Sequence, residues 1–197
     1  ISSLIAWHEV LRDTYPDDTL LPEMEKDIKR LERIADRFSK IGSIPEPKPE
    51  DVLEVIERVV TYMRKRTSNK VTISTHFPNE PVIASLIASL FEWVVENLCK
   101  NAVDAMGGAG AIDIEVDEDE KRVYVDVKDT GKGIAKSNFN SVFKPGFTTK
   151  ERGWGLGLSL AKRIVEEYHR GKIFVADSEI GMGTTFRIVL PKAPSEV

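Results

Sequence analysis

Cysteine is almost missing from this chain. Cys99 stands alone among 197 residues, so no internal disulfide can form, which fits a reducing compartment. Long apolar runs are missing as well: nothing approaches the roughly 20 residues that span a bilayer, and no secretory signal is present. There is no basic excess either. Lys and Arg number 28 against 32 Asp and Glu, and a net charge of −4 provides no footprint for nucleic acid. What remains is ample for a folded body, with 41% apolar residues to pack a core and 30% charged residues to cover it. Internal repeats and low-complexity stretches are absent. The chain opens at Ile1-Ser2-Ser3 without an initiator Met, so we expect a fragment whose native N-terminus lies upstream.

Two parts of unequal character are expected. Residues 1–42 read as a helical hairpin. Leu4, Trp7, His8 and Leu11 share one helical face, and the pattern stops around Pro16. A second helix starts near Pro22, and Met24, Ile28, Leu31, Ile34, Phe38 and Ile41 step by three or four along it. The short first helix cannot cover so apolar a stripe. A second copy of the hairpin would cover it in a dimeric four-helix bundle, and docking on the rest of the chain is the alternative. Gly42 ends the helix, and residues 43–49, with Pro45, Pro47 and Pro49, read as a stiff extended connector. Residues 50–191 alternate helix and strand, and 192–197 form a tail. Helices are expected over 52–63, 85–106 and 156–168, and strands at 71–74, 112–116, 123–127, 173–176 and 185–190. The fold class is α+β: a two-layer α/β sandwich in which helices cover one face of a mixed sheet.

Four short motifs carry the chemistry. Asn97 and Asn101 sit four apart, one turn along one helix face. An amide oxygen is a hard, neutral ligand suited to magnesium that also holds phosphates and water. Solvated or capping asparagines would look the same in isolation. Asp129 ends an apolar strand and leads into Thr130-Gly131-Lys132-Gly133. A carboxylate there can accept from an exocyclic amine such as that of adenine, while Gly131 and Gly133 let the backbone pass close to a flat base. The third motif, Gly153-Trp154-Gly155-Leu156-Gly157-Leu158, stands before a helix, where backbone N–H groups can face phosphates. It is neither the dinucleotide fingerprint, since Leu158 replaces the last glycine and no strand precedes it, nor a P-loop. The fourth is Gly181-Met182-Gly183-Thr184-Thr185-Phe186. Between the second and third lies Phe143-Lys144-Pro145-Gly146-Phe147-Thr148-Thr149-Lys150-Glu151-Arg152. Its aromatics can anchor it, Lys150 and Arg152 can reach phosphates, and its length predicts a lid that orders on nucleotide.

In this order the motifs resemble the ATP-binding domain shared by sensor histidine kinases, gyrase-type topoisomerases, MutL mismatch-repair proteins and heat-shock chaperone ATPases. The resemblance covers about residues 50–191. It implies Asn101, assisted by Asn97, as holder of Mg2+ on an ATP substrate. Asp129 would bind the adenine amine, with Thr184 or Thr185 beside it and Gly131 and Gly133 shaping the loop. Gly153, Gly155, Leu156, Gly157 and Leu158 would take the phosphates, helped by Lys150.

Three features are similar to the histidine-kinase branch. Residues 143–150 have the form of its phenylalanine box. The hydrolysing branches place Glu one turn before the asparagine; Asn97 stands there, and an amide cannot take the proton from water. Glu96 is adjacent but about 100° round the helix. Finally, the hairpin is similar to that branch's dimerisation and phosphoacceptor region. Ile1-Ser2-Ser3-Leu4 resembles the run that follows the acceptor, which places the acceptor His upstream of residue 1. His8 lacks the Pro expected five residues on and reads as an interfacial residue; His76, His169 and Cys99 read as structural. The resemblance implies a homodimer through the hairpin and a response-regulator receiver domain as partner. It also implies a cytoplasmic location, with any membrane attachment through an absent N-terminal region. A chaperone- or repair-type ATPase, and a nucleotide-binding scaffold without transfer, are the alternative functions.

Overall fold

The structure, a computed structural model, describes residues 10–12, 14, 21, 46–148 and 155–193. The chain divides into two compact units, Ile1–Pro45 and Glu46–Val197. In the first, residues 10–12, 14 and 21 are helical, and the Thr14 hydroxyl donates to the Val10 carbonyl at 2.7 Å. The rest of the expected hairpin, His8 and the apolar stripe of the second helix included, lies outside the described residues. So do positions 194–197 of the expected tail.

The second unit opens on a small antiparallel pair, β1 (Lys48–Asp51) with β3 (Ile83–Leu86). Pattern alone assigns Pro49 to the connector and Ser85 to a helix, and both are strand residues instead. In β3 the side chains alternate, with Ala84 and Leu86 buried and Ile83 and Ser85 half-buried, a period of two that a helix cannot satisfy. A proline is tolerated in a two-stranded pair because one side of each strand needs no donor.

Asp51 then caps α1 (Val52–Arg64). Its carboxylate accepts from the Leu53 N–H at 2.9 Å, satisfying one of the open donors of the first turn. Val52, Val55, Ile56, Val59, Val60 and Met63 form the buried stripe, so packing overrides the poor helix propensity of four valines and isoleucine. The long helix α2 (Ala88–Ala105) buries Phe91, Val94, Val95, Leu98, Cys99 and Ala102. Burial pushes the Cys99 thiol up to about 12, with Glu96 adding to the effect, so it packs as a protonated, inert group.

The main sheet has the order β2-β4-β5-β7-β6, from β2 (Val71–His76), β4 (Gly110–Glu118), β5 (Arg122–Asp129), β6 (Lys172–Glu179) and β7 (Gly183–Pro191). β2 and β4 run parallel and the other pairs antiparallel. One face is apolar: Ile112, Ile114, Val123, Val125, Val127, Phe186, Ile188 and Leu190 are buried against α1, α2 and α3 (Gly157–Arg163). The other face is polar and carries Glu115, Asp117, Tyr124, Asp126 and Arg187, with Arg187 making two bonds to Asp126 at 2.7 and 2.6 Å. This is the expected two-layer sandwich.

α3 runs on into a single π-helical turn, Ile164–Tyr168, which ends at His169. That ring is buried, lies edge-on to Phe91 at 6.2 Å, and accepts the Ile87 N–H on Nε2 at 2.9 Å. Ile87 stands at the N-cap of α2 and offers no side-chain cap of its own, so a residue 82 positions away takes up the open donor. Burial lowers the His169 pKa to about 4. The folded chain therefore refuses a proton that the unfolded chain, at about 6.5, accepts. Stability rises with pH through that window and is lost as pH falls from 6.5 towards 4, by about 3 kcal/mol. Urea unfolding at pH 7 and pH 4.5 reads this, and His169→Gln, which keeps an acceptor but cannot titrate, is expected to flatten the difference.

Candidate functional site

The described residues of the four motifs gather around α2, which presents Asn97 and Asn101 on one face and ends at Ala105. Roughly 12 Å of helix axis separates Asn97 from Ala105. Each end meets a different glycine cluster.

At the Ala105 end lies the loop after β5. The Lys132 N–H donates to the Ala105 carbonyl at 3.1 Å, and the Lys132 carbonyl accepts from the Gly181 N–H at 2.9 Å. The loop is thus held between α2 and the β6–β7 turn. Gly131 rests against Ala105 so closely that a Cβ would stand 2.8 Å from the Ala105 Cβ. Gly133 has a φ of +72° and backs onto the Glu179 carbonyl, a position only glycine fills without strain. Asp129, 4% exposed, is paired across the strands with Thr184, also 4% exposed. Its Oδ1 accepts from the Gly131 N–H at 2.7 Å. Burial raises its pKa, and the Gly131 and Thr184 N–H groups pull it back. The result is a buried acceptor at the edge of the apolar layer, suited to an amine donor. Thr185 lies on the opposite face of β7, so Thr184 is the threonine of this site.

At the Asn97 end, α2 meets the start of α3. A Cβ on Gly157 would stand 2.5 Å from the Asn97 Oδ1, so the glycine makes a cradle for the amide. The Asn97 Nδ2 is buried and has no hydrogen-bond partner, leaving a donor available for a bound group. Gly155 has a φ of +61° and lies against the backbone of Gly146 and Phe147, and its carbonyl accepts the Gly146 N–H at 3.1 Å. Leu156 is exposed and Leu158 packs partly against the core. Lys150 and Gly153 lie outside the described residues, as do the other positions of 149–154. The expected lid is fastened at its start: Val142 and Phe143 are buried, and Phe143 stands edge-on to Phe186 at 6.1 Å with the Lys162 ammonium over its ring.

Among the described residues, no three His, Cys, Asp or Glu side chains gather to hold a metal. A magnesium ion here would take an amide oxygen and the phosphates and waters it brings, which fits an ion that seldom uses an all-protein cage. The orphaned Nδ2 and the Gly157 cradle fit a phosphate-bearing ligand at the same place. Glu96, next to Asn97 in the chain, points its Oε1 at the Lys100 ammonium 2.5 Å away. It is engaged there as an ion pair.

One residue that supports α2 and one residue of the site have roles that the sequence hides. His169 reads as structural, but its part in capping α2 rests on a contact across 82 positions. Ser178 belongs to none of the motifs. Its hydroxyl accepts from the Ile134 N–H at 2.8 Å, donates to the Gly183 carbonyl at 2.8 Å and lies 3.0 Å from the Thr184 hydroxyl. Strict strand alternation from Ile173 and Val175 puts Ser178 on the wrong face. The one signal for it is a small polar residue just ahead of the last glycine cluster.

The family model of the histidine kinase-, DNA gyrase B- and HSP90-like ATPases matches residues 88–194. The chain is 40% identical to sporulation kinase A of Bacillus subtilis over 63% of its own length, and 45% identical to sensor histidine kinase ZraS of Escherichia coli over 50%. It spans about a fifth of the length of each. Among solved structures, the catalytic domain of histidine kinase ThkA superposes with a TM-score of 0.68 at 29% identity, covering 75% of this chain and 97% of that one. ThkA in complex with the response regulator TrrA gives a TM-score of 0.70 at 25% identity, covering 98% of this chain and 59% of that one. Because the matched stretch is more than half the chain and contains α2, the Asp129 loop and the Thr184 strand, the family is settled: this chain belongs to the histidine kinase-, DNA gyrase B- and HSP90-like ATPases.

Proposed function

We propose that this chain is catalytic-core sequence of a two-component sensor histidine kinase. It binds Mg-ATP and presents the γ-phosphoryl to a His imidazole on a dimerisation helix upstream of residue 1, for relay to an Asp of a response regulator. The observation that carries this is Asn97: the position one turn before Asn101 is an amide seated against Gly157, where a hydrolysing enzyme needs a carboxylate. The neighbouring Glu96 is committed to Lys100. The kinase relatives favour the same branch, and the ThkA–TrrA complex supports a receiver domain as partner.

In this reading Asp129 accepts the adenine amine and Thr184 lies beside it. The backbone of Gly153, Gly155 and Gly157 would take the phosphates, with Lys150 expected to assist, and Asn101 with Asn97 positions the metal-bearing phosphate groups. Magnesium would be held by Asn101, assisted by Asn97, and would supply charge neutralisation on the phosphoryl oxygens. The protein's own contribution is positioning: α2 holds the base end and the phosphate end at a fixed spacing, and the acceptor helix supplies the nucleophile. The homodimer through the hairpin, the domain limits and the cytoplasmic location belong to the same proposal. Among the described residues no helix is long and apolar enough to cross a membrane.

The test is a protein extended upstream through the acceptor and incubated with γ-labelled ATP and magnesium. We expect acid-labile, base-stable label on the protein, abolished when the upstream His is replaced. Sustained phosphate release with no label would overturn the kinase reading in favour of the ATPase one. Nucleotide binding with neither label nor phosphate release would leave the nucleotide-binding scaffold.

A further inference from the structure

In β6 the register against β7 steps over Ala176: Val175 faces Phe186, but Asp177 faces Thr185. One extra residue in a strand turns every later side chain to the other face. Ile173 and Val175 point into the core, so without the step Asp177 would follow them inward and Ser178 would meet water. Instead Asp177 is exposed and Ser178 is buried, 5% exposed. The bulge therefore serves to aim one hydroxyl.

That hydroxyl has a single proton and three partners. It donates to the Gly183 carbonyl at 2.8 Å, since a carbonyl can only accept. Its lone pairs take the Ile134 N–H at 2.8 Å and the Thr184 hydroxyl at 3.0 Å. With the serine proton spent on Gly183, the proton in the Ser178–Thr184 contact comes from Thr184. Thr184 is then left with lone pairs only. Its cross-strand neighbour Asp129, on the same buried face, is an acceptor as well.

We infer that Ser178 is a positioning residue that fixes Thr184 as an acceptor and thereby sets the base preference of the nucleotide pocket. This rests on the reading that the base binds at Asp129 and Thr184. Adenine presents an amine at its position 6, which two acceptors welcome; guanine presents a carbonyl there, which they repel. A site built to receive a donor rejects an analogue lacking it far more strongly than shape alone does. Ser178 also ties the loop after Asp129, through Ile134, to the turn before Thr184, so one hydroxyl holds both walls in register.

The test titrates the 197-residue chain with Mg-ATP and Mg-GTP. The wild type is expected to prefer ATP by about 100-fold or more. Ser178→Ala is expected to lose about tenfold in ATP affinity, the worth of one oriented hydrogen bond, with GTP unchanged, so the preference itself falls. Ser178→Thr keeps the hydroxyl and is expected to restore the ratio. Should Ser178→Ala fail to fold, Thr184→Val decides, because it removes the acceptor directly while keeping the shape, and the same narrowing is expected. Equal losses for both nucleotides, or an ATP affinity unchanged in Ser178→Ala, would overturn the inference. A wild type that binds neither nucleotide defeats the function proposed above and this inference with it. A wild type that binds ATP alongside an indifferent variant defeats only the inference.

Discussion

Asp129→Asn is expected to lower ATP affinity by about 100-fold while leaving the fold in place. The carboxylate has two oxygens: Oδ1 takes the Gly131 N–H at 2.7 Å, and under the proposed function the other is left to accept the adenine amine. An amide has one oxygen. If that oxygen serves Gly131, the NH2 group faces the amine, donor against donor; if it serves the amine, the NH2 group faces Gly131. A charge-assisted bond gives way to a donor–donor repulsion, which at about 1.4 kcal/mol per tenfold accounts for the factor. The shape is conserved and the first arrangement keeps the loop bond, so the unfolding midpoint should move by only a few degrees. Titration calorimetry reads the affinity, and a loss smaller than about threefold would remove Asp129 from the base pocket. Acidity tests the same group by another route. Burial raises its pKa, so the ionised acceptor is lost on acidification at a higher pH than for an ordinary aspartate, and nucleotide affinity should fall there. The Asn variant, which cannot titrate, should lack that dependence.

The split between what is legible in the sequence and what is not has a physical origin. The stripe of α1 and the alternation of β4, β5 and β7 are local periodicities, and they mark the buried face residue by residue. The glycine clusters announce themselves because the backbone approaches something closely there: Gly133 against Glu179, Gly157 against Asn97. The failures are places where a distant partner or a broken period decides. Ser85 and Leu86, expected to open a helix, lie in a strand because β1, far back in the chain, pairs with them. Ser178 is hidden by the bulge at Ala176, which inverts the parity on which strand assignment depends. His169 gives no sign that it will cap a helix whose N-cap residue stands 82 positions earlier. Short motifs thus locate the site, and long-range hydrogen bonds build its walls.

Asn101→Ala is expected to reduce phosphotransfer in the upstream-extended protein by about 100- to 1,000-fold, the range found when a preorganised group facing the reacting charge is removed. The proposal gives Asn101 the magnesium-bearing phosphates, so its loss should register in a specific way. Wild-type affinity for ATP should rise on adding magnesium, whereas the affinity of the Ala variant should be nearly the same with and without it. Base recognition should survive, because Asp129 and Thr184 lie at the other end of the site. This pattern separates a ligand from a residue that merely packs. A packing defect in α2 would also loosen the Asp129 loop, since Lys132 hangs on the Ala105 carbonyl one turn further along, and magnesium-free affinity would fall too. Labelling and titration of the same variant therefore decide together. Lost transfer with lost magnesium dependence places Asn101 at the phosphates, and an unaltered magnesium response would move the metal's ligand elsewhere. Asn97→Ala is the companion measurement: its Oδ1 stands where Gly157 leaves room and its Nδ2 has no partner, so its removal should weaken phosphate positioning without costing the fold a hydrogen bond at that nitrogen.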